Sequence, residues 1–275
     1  MAADKDVLIY EKKDYIATVM LNRPESRNAL SVELVTRLHE VWNTVDDDPE
    51  VRVIILRGAG EKAFVAGADI SQFKEKRTGE VAVREYNAAS DKAGEALREC
   101  TKPTIAMIQG YCIMGGLMLA SCCDLIVAAE DAVFADRSVR WGGAHVQYFS
   151  MPWDLGPRKA KEYLFTGDYV DAQAALRLGL VNRVVPRAAL APETLKLAQR
   201  IALQDPFALK LAKASVNETL DIQGQRRAIE AAFKNYMLTI PHRQLLGTYG
   251  AEARAKSVKE RIQTRDRKFG DAAGE

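Results

Sequence analysis

Residues 108–124 read IQGYCIMGGLMLASCCD: an apolar strand-like run, a glycine turn, then a run that is apolar on every side. Gly110, Gly115 and Gly116 can adopt backbone angles closed to other residues and let a ligand approach the main chain. Leu117 to Cys123 offers no solvent face, which predicts a buried helix whose first N–H groups face a cavity. A helix start carries orphan donors and a partial positive charge, so it suits an oxygen that is, or becomes, negative. A tight turn into a core helix accounts for the same glycines, because an isolated glycine cluster is a weak motif.

Upstream, Val7 to Tyr10 and Ile16 to Leu21 flank a Lys12, Lys13, Asp14 turn and predict a hairpin. Val32, Val35, Leu38, Trp42 and Val45 recur at helical steps behind Ser31, a candidate N-cap. VRVIIL at 51–56, TIAMI at 104–108 and DLIVA at 124–128 predict buried strands. Asp69 is positioned to cap a short helix starting at Ile70, and a further helix over 84–98 turns Tyr86, Ala89, Ala93, Ala96 and Leu97 inward. Strands alternating with helices imply an α/β domain with largely parallel sheets.

Downstream, residues 135–157 (ADRSVRWGGAHVQYFSMPWDLGP) form an irregular stretch rich in aromatics, glycines and polar groups. Segments of this kind inside compact domains are usually functional or mobile. Helix is predicted over 158–164 and 171–179, the second with an aspartate start and a glycine stop, and strand over 180–185. From Ala188 onward the sequence predicts helix with breaks near Pro206, residues 223–225 and Pro241.

Hydrophobic residues make up 48% and charged ones 28% of the 275, which excludes global disorder. A net charge of +2 gives no bulk field to recruit nucleic acid or a membrane surface. The opening MAADKDVLIYEKKD lacks the pattern of a signal peptide, and no apolar run is long enough to span a bilayer, so a cytoplasmic location is expected. Cys100, Cys112, Cys122 and Cys123 do not have zinc-ligand spacing and are expected to be core packing. Neither GxxxxGK[ST] nor GxSxG occurs, which removes support for nucleotide or serine hydrolysis.

Five segments resemble the crotonase, or enoyl-CoA hydratase/isomerase, superfamily: LNRPESRNAL (21–30), KAFVAGADI (62–70), KPTIAMIQGYCIMGG (102–116), CDLIVAAEDAVF (123–134) and LFTGDYVDAQAALRLGLVNRVVP (164–186). Their order and spacing make the resemblance specific across nearly the whole chain. It implies an α/β fold, a crotonase-like spiral of ββα repeats with a C-terminal helical region. Residues 1–186 would form the core with an acyl-CoA site, and 187–275 the helices for oligomerisation and coenzyme A cover. It further implies a homotrimer or homohexamer and no tightly bound cofactor, coenzyme A arriving as part of the thioester substrate.

The resemblance places the thioester carbonyl between the N–H groups of Ala66 and Gly115, an oxyanion hole for the enolate. Coenzyme A is expected near Ser26 to Asn28 and the AGADI loop, with Arg23, Arg27, Ala68, Asp69, Ile70, Lys268 and Phe269 as contacts. Where hydratases of the family carry two glutamates, Met118 and Ser138 stand here. Methionine transfers no proton and an unactivated serine is a poor base, so two-glutamate hydration is not expected.

Asp136 is the nearby replacement, and His145 can pair with it as the acid/base group. Met118, Trp141 and Tyr148 are expected to line the acyl pocket, with Phe149 and Trp153 adding aromatic bulk. Hydration, isomerisation and hydrolytic carbon–carbon cleavage all remain open. The alternative is a catalytically silent acyl-CoA-binding or scaffold homologue.

Overall fold

The computed structural model describes residues 6–73 and 76–245 together with Glu260, Gln263, Thr264, Asp266 and Phe269. Lys268, expected at the coenzyme, lies outside the described residues.

A hairpin of β1 (Leu8–Lys13) and β2 (Ile16–Leu21) leads to α1 (Val32–Asp47). Ser31 caps α1, its side chain accepting the Leu34 N–H at 3.1 Å. Three ββ units follow. β3 (Val53–Gly58) and β4 (Ala63–Val65) precede α2 (Lys76–Glu99); β5 (Thr104–Ile108) and β6 (Tyr111–Ile113) precede α3 (Gly115–Cys122); β7 (Leu125–Ala129) and β8 (Val133–Ala135) precede the irregular stretch. The first strand of each unit joins a six-stranded sheet ordered β1-β2-β3-β5-β7-β10, where β10 is Arg183–Val185. The second joins a four-stranded sheet ordered β4-β6-β8-β9, where β9 is Val170–Asp171. Among the described residues, every pairing between two of these strands is parallel apart from β1/β2 and β8/β9.

The central strands β3, β5 and β7 of the larger sheet are buried on both faces, which is why they read as near-continuous apolar runs. One face carries Ala17, Val19, Ile54, Leu56, Ala106 and Ile108 into the main core with Trp42 and Phe64. The other packs Ile16, Val53, Ile55, Ile105, Met107 and Val127 against Leu190, Ala198 and Ala202 of α7 (Leu190–Ala202). Between them in sequence lie α4 (Met151–Asp154), α5 (Pro157–Thr166) and α6 (Ala172–Leu178). α6 has the predicted caps: Asp171 accepts the Ala174 N–H at 2.6 Å, and Gly179 is left-handed with φ 87°.

α8 (Pro206–Ile222) and α9 (Gln225–Leu245) follow. Three sequence expectations are corrected. The sequence does not predict the three-residue strands β4, β6 and β8, because so few residues carry no usable periodicity. α2 begins at Lys76, eight residues before the expected start. Pro241 lies inside α9 and does not end it.

The opening stretch divides more finely than expected. Gly110, at φ 55°, turns the chain between β5 and β6, and a Cβ there would collide with the Lys62 carbonyl. Met114 then enters α3 at φ 50°, ψ −105°. Such a backbone costs about 1–3 kcal/mol for a non-glycine residue. It is held by the Met114 N–H donating to Ala135 O at 2.8 Å and by Met118 N–H donating to Met114 O at 3.0 Å.

Candidate active site

The first N–H of α3 belongs to Gly115, and the glycines there let other backbone close in. A Cβ on Gly116 would sit 2.5 Å from Val65 O, so α3 lies directly against the end of β4. A Cβ on Gly115 would sit 2.8 Å from Leu30 Cδ1, 3.5 Å from Tyr86 Oη and 3.6 Å from the carbonyl carbon of Gly67. The Gly67–Ala68 peptide therefore borders the helix start.

Chain direction in that loop decides which N–H groups are available. Ala66 N–H donates to Arg27 O at 3.1 Å. Leu30 N–H donates to Gly67 O at 2.8 Å and Asp69 N–H to Leu30 O at 2.9 Å, the pattern of a parallel bridge between Leu30 and Ala68. In such a bridge the N–H of Ala68 itself points to the opposite side. Neither Ala68 N–H nor Gly115 N–H has a backbone acceptor among the described residues. The expectation of Ala66 as donor thus meets a group already committed to Arg27.

The same loop is clamped to residues 23–30. Arg23 pairs with Asp69 at 2.8 Å and donates to Ala29 O at 2.5 Å. Asn28, fully buried at φ 54°, donates to Ala59 O and Ala63 O and accepts the Arg23 N–H. Asp69 also accepts the Ser71 N–H at 3.1 Å, opening the short helix Ile70–Phe73 as expected. Burial raises the Asp69 carboxyl, but Ser71 and Arg23 outweigh it and hold it below the usual range. Arg27 lies over the Tyr111 ring at 5.4 Å.

On the other side of α3, Asp136 follows β8 and is 1% exposed. Its Oδ1 accepts Ser138 N–H at 3.0 Å and its Oδ2 accepts Val146 N–H at 2.9 Å. Burial pushes this carboxyl above its usual range, against the pull of those hydrogen bonds and of His145. His145, also buried, places Nδ1 2.6 Å from Val146 O and packs its ring on Phe149 at 4.5 Å between centroids. The expected direct pair is therefore replaced by an indirect link: carboxylate and imidazole meet the two ends of Val146, not each other. Ser138 is buried beside them.

Met118 lies one turn along α3 and is 1% exposed. Tyr148 and Trp141 are half-buried, and burial raises the Tyr148 phenol. Beyond this loop, Asp266 is buried against Arg137 at 2.9 Å and Arg140 at 4.0 Å, while Phe269 lies under the Arg140 guanidinium at 4.1 Å. Asp266 and Phe269 thus dock on the stretch that carries Asp136. The cysteines are packing groups: all four are free, and burial raises their thiols, Cys100 to about 12.

The model for the family described as enoyl-CoA hydratase/isomerase matches residues 11–261. The chain belongs to that family. Among relatives of the enoyl-CoA hydratase/isomerase family, a crotonyl-CoA hydratase of Syntrophomonas wolfei is 36% identical over 231 residues, covering 82% of this chain and 86% of that protein. A hydroxycinnamoyl-CoA hydratase-lyase of Pseudomonas fluorescens is 38% identical over 208 residues, covering 74% and 75%. The crystal structure of an enoyl-CoA hydratase/isomerase from Xanthobacter autotrophicus Py2 superposes with a TM-score of 0.87 at 32% identity, covering 96% of this chain and 98% of that one. The fold is accordingly the crotonase-like α/β spiral, and the protein is an acyl-CoA enzyme of this enoyl-CoA hydratase/isomerase family.

Sequence reading of this family member missed Asn87, Ser90 and Gln147, which gather beside Met118. Ser90 had a visible signal. With Tyr86, Ala93 and Leu97 it recurs at steps of four, three and four, a polar group on an apolar stripe.

Proposed function

We propose that the enzyme binds an acyl-CoA thioester with its carbonyl oxygen between the N–H groups of Gly115 and Ala68, and stabilises the enolate formed there. The supporting observation is the placement of the Gly67–Ala68 peptide against the start of α3 while Ala66 N–H is occupied by Arg27. Preorganised donors of this kind act on charge that develops in the transition state, and losing one typically costs about 10²- to 10³-fold in rate. Coenzyme A is assigned to the clamped loops, with Arg23, Arg27, Asp69 and Ile70 as contacts, and Lys268 and Phe269 are assigned as further contacts.

Proton transfer does not follow the two-glutamate route, since Met118 and Ser138 stand at those positions. Asp136 is assigned as the acid/base group because its raised pKa brings it nearer neutrality, where such catalysis is most effective. His145 positions it through the backbone of Val146, whose N–H and carbonyl the two side chains meet. Trp141 and Tyr148 line the acyl pocket.

A specific observation favours a second reading. Both Asp136 oxygens accept backbone N–H groups of their own loop, as in a structural staple, and a binding protein without acid/base chemistry would need no more. Turnover of crotonyl-CoA and of cyclic oxo-acyl-CoA esters separates the two. The first reading expects turnover with at least one ester and its loss in Asp136→Asn. Turnover unchanged in Asp136→Asn removes the base assignment.

The assembly is proposed as a homotrimer or homohexamer, in the cytoplasm. Leu203, Phe207, Leu211, Val216 and Ile222 all face solvent on or beside α8, an apolar surface suited to further copies of the chain. Sedimentation as a stable monomer would contradict it.

A further inference from the structure

The seam between α2 and α3 leads from the oxyanion hole to a buried polar cluster that the thioester site does not use. On α3, Met118 lies one turn beyond Gly115, about 5 Å along the axis. On α2, Ser90 lies one turn beyond Tyr86, whose hydroxyl borders Gly115. The Ser90 hydroxyl joins the two helices, 3.7 Å from Met118 Sδ and 3.4 Å from Gln147 Oε1. Gln147 Nε2 donates to Asn87 Oδ1 at 2.8 Å, and the Tyr236 hydroxyl donates to the same oxygen at 3.1 Å. Asn87, Ser90 and Gln147 are 4%, 0% and 7% exposed.

The cluster is complete except on one atom. Asn87 Oδ1 holds two donors, which fills its acceptor capacity. Asn87 Nδ2 is buried and has no hydrogen-bond partner among the described residues. A buried amide donor is expensive to leave unmade, and buried polar groups in folded proteins are nearly always paired. Among the described residues the cluster holds no carboxylate, lysine, arginine or histidine, and its phenols are neutral near pH 7, so the partner it suits is a neutral acceptor. Asn87 follows Tyr86 directly on α2, so an acyl chain that runs along the seam from a carbonyl at Gly115 would pass the cluster within its first three or four atoms, about 5 Å.

We propose that Asn87 Nδ2 donates to an acceptor oxygen on the acyl group, so that the substrate class is an oxo-acyl thioester and Asn87 determines specificity for it. This rests on the thioester site proposed above. A site built to hydrogen-bond a substrate group discriminates against the analogue lacking it, because its own polar atom is then left unpaired. Gln147 and Tyr236 are positioning residues that fix the amide's orientation, and Ser90 fixes Gln147.

The test is calorimetric titration of the full chain with matched thioesters: pentanoyl-CoA against 4-oxopentanoyl-CoA, and butanoyl-CoA against 3-oxobutanoyl-CoA. The expected result is an oxo ester binding about 10-fold more tightly than its plain partner in at least one pair. Asn87→Leu brings the oxo ester down to the affinity of the plain one. Asn87→Asp keeps the acceptor for Gln147 and Tyr236 but replaces the free donor by an acceptor, so it reverses the preference and carries the test if the leucine variant fails to fold. Equal affinities in the unmodified protein, or a preference that survives in Asn87→Asp, would overturn the inference alone. Binding of none of the four esters would overturn the thioester site as well.

Discussion

The two sides of α3 are built from different materials. Towards β4 the surface is backbone: two N–H groups, three glycines and buried apolar side chains, with shape set by contacts such as Gly116 against Val65 O. Towards the irregular stretch after β8 it is side chain: Asp136, Arg137, Arg140, His145 and Asp266 are buried and tied to their surroundings. A backbone-built half works by shape and does not titrate. A half built from buried ionisable groups depends on every partner, because one charge without its counterpart is heavily penalised.

That contrast orders the expected effects of mutation. The largest is at the tail. Asp266→Ala leaves Arg137 buried without this carboxylate and should lower unfolding free energy by about 3–5 kcal/mol, measured by urea denaturation. A loss below about 1 kcal/mol would mean that the docked tail does not hold the loop. Next comes Gly116→Ala, whose methyl group must displace α3 from Val65. The expected result is a fall in kcat/KM of about 10²-fold or more, the scale of one lost oxyanion donor. Unchanged kinetics would show that the α3 start is not at the reacting carbonyl.

Asp136→Asn is expected to reduce turnover by about 10²-fold, the lower range for general acid–base catalysis, while thioester binding persists. A parallel loss of binding would mean that Asp136 shapes the loop instead. The smallest effect is at Asp154, whose carboxyl burial raises to about 6 while Ser150 donates to it. For an acid with a raised folded-state pKa, ionisation is penalised in the folded form. The penalty is absent below the unfolded pKa and grows as pH rises towards about 6. Asp154→Asn should therefore raise Tm by about 2–4 °C at pH 8, with the gain fading towards pH 4 in thermal melts.

Sequence legibility divides along the same line. Ser31, Asp171 and Gly179 could be read directly because a cap is a local contract between a side chain and its own turn. VRVIIL and TIAMI could be read because strands buried on both faces leave a continuous apolar run. The availability of Ala68 N–H could not. It follows from a parallel bridge to Leu30, thirty-eight positions away, and peptide direction alternates with every residue along such a bridge. The same holds for Asp136 and His145: their nearness in sequence suggests a pair, whereas loop packing sends one to the N–H and the other to the carbonyl of Val146.

The central claim is that backbone donors at Gly115 and Ala68 polarise the thioester carbonyl. Isotope-edited infrared difference spectroscopy of butanoyl-CoA labelled with carbon-13 at the thioester carbonyl measures this directly. The account predicts that the carbonyl stretch moves to lower wavenumber on binding, that the shift is retained in Asp136→Asn, and that it is lost in Gly116→Ala. A bound thioester whose stretch stays at its solution value, or a shift that depends on Asp136, would contradict it.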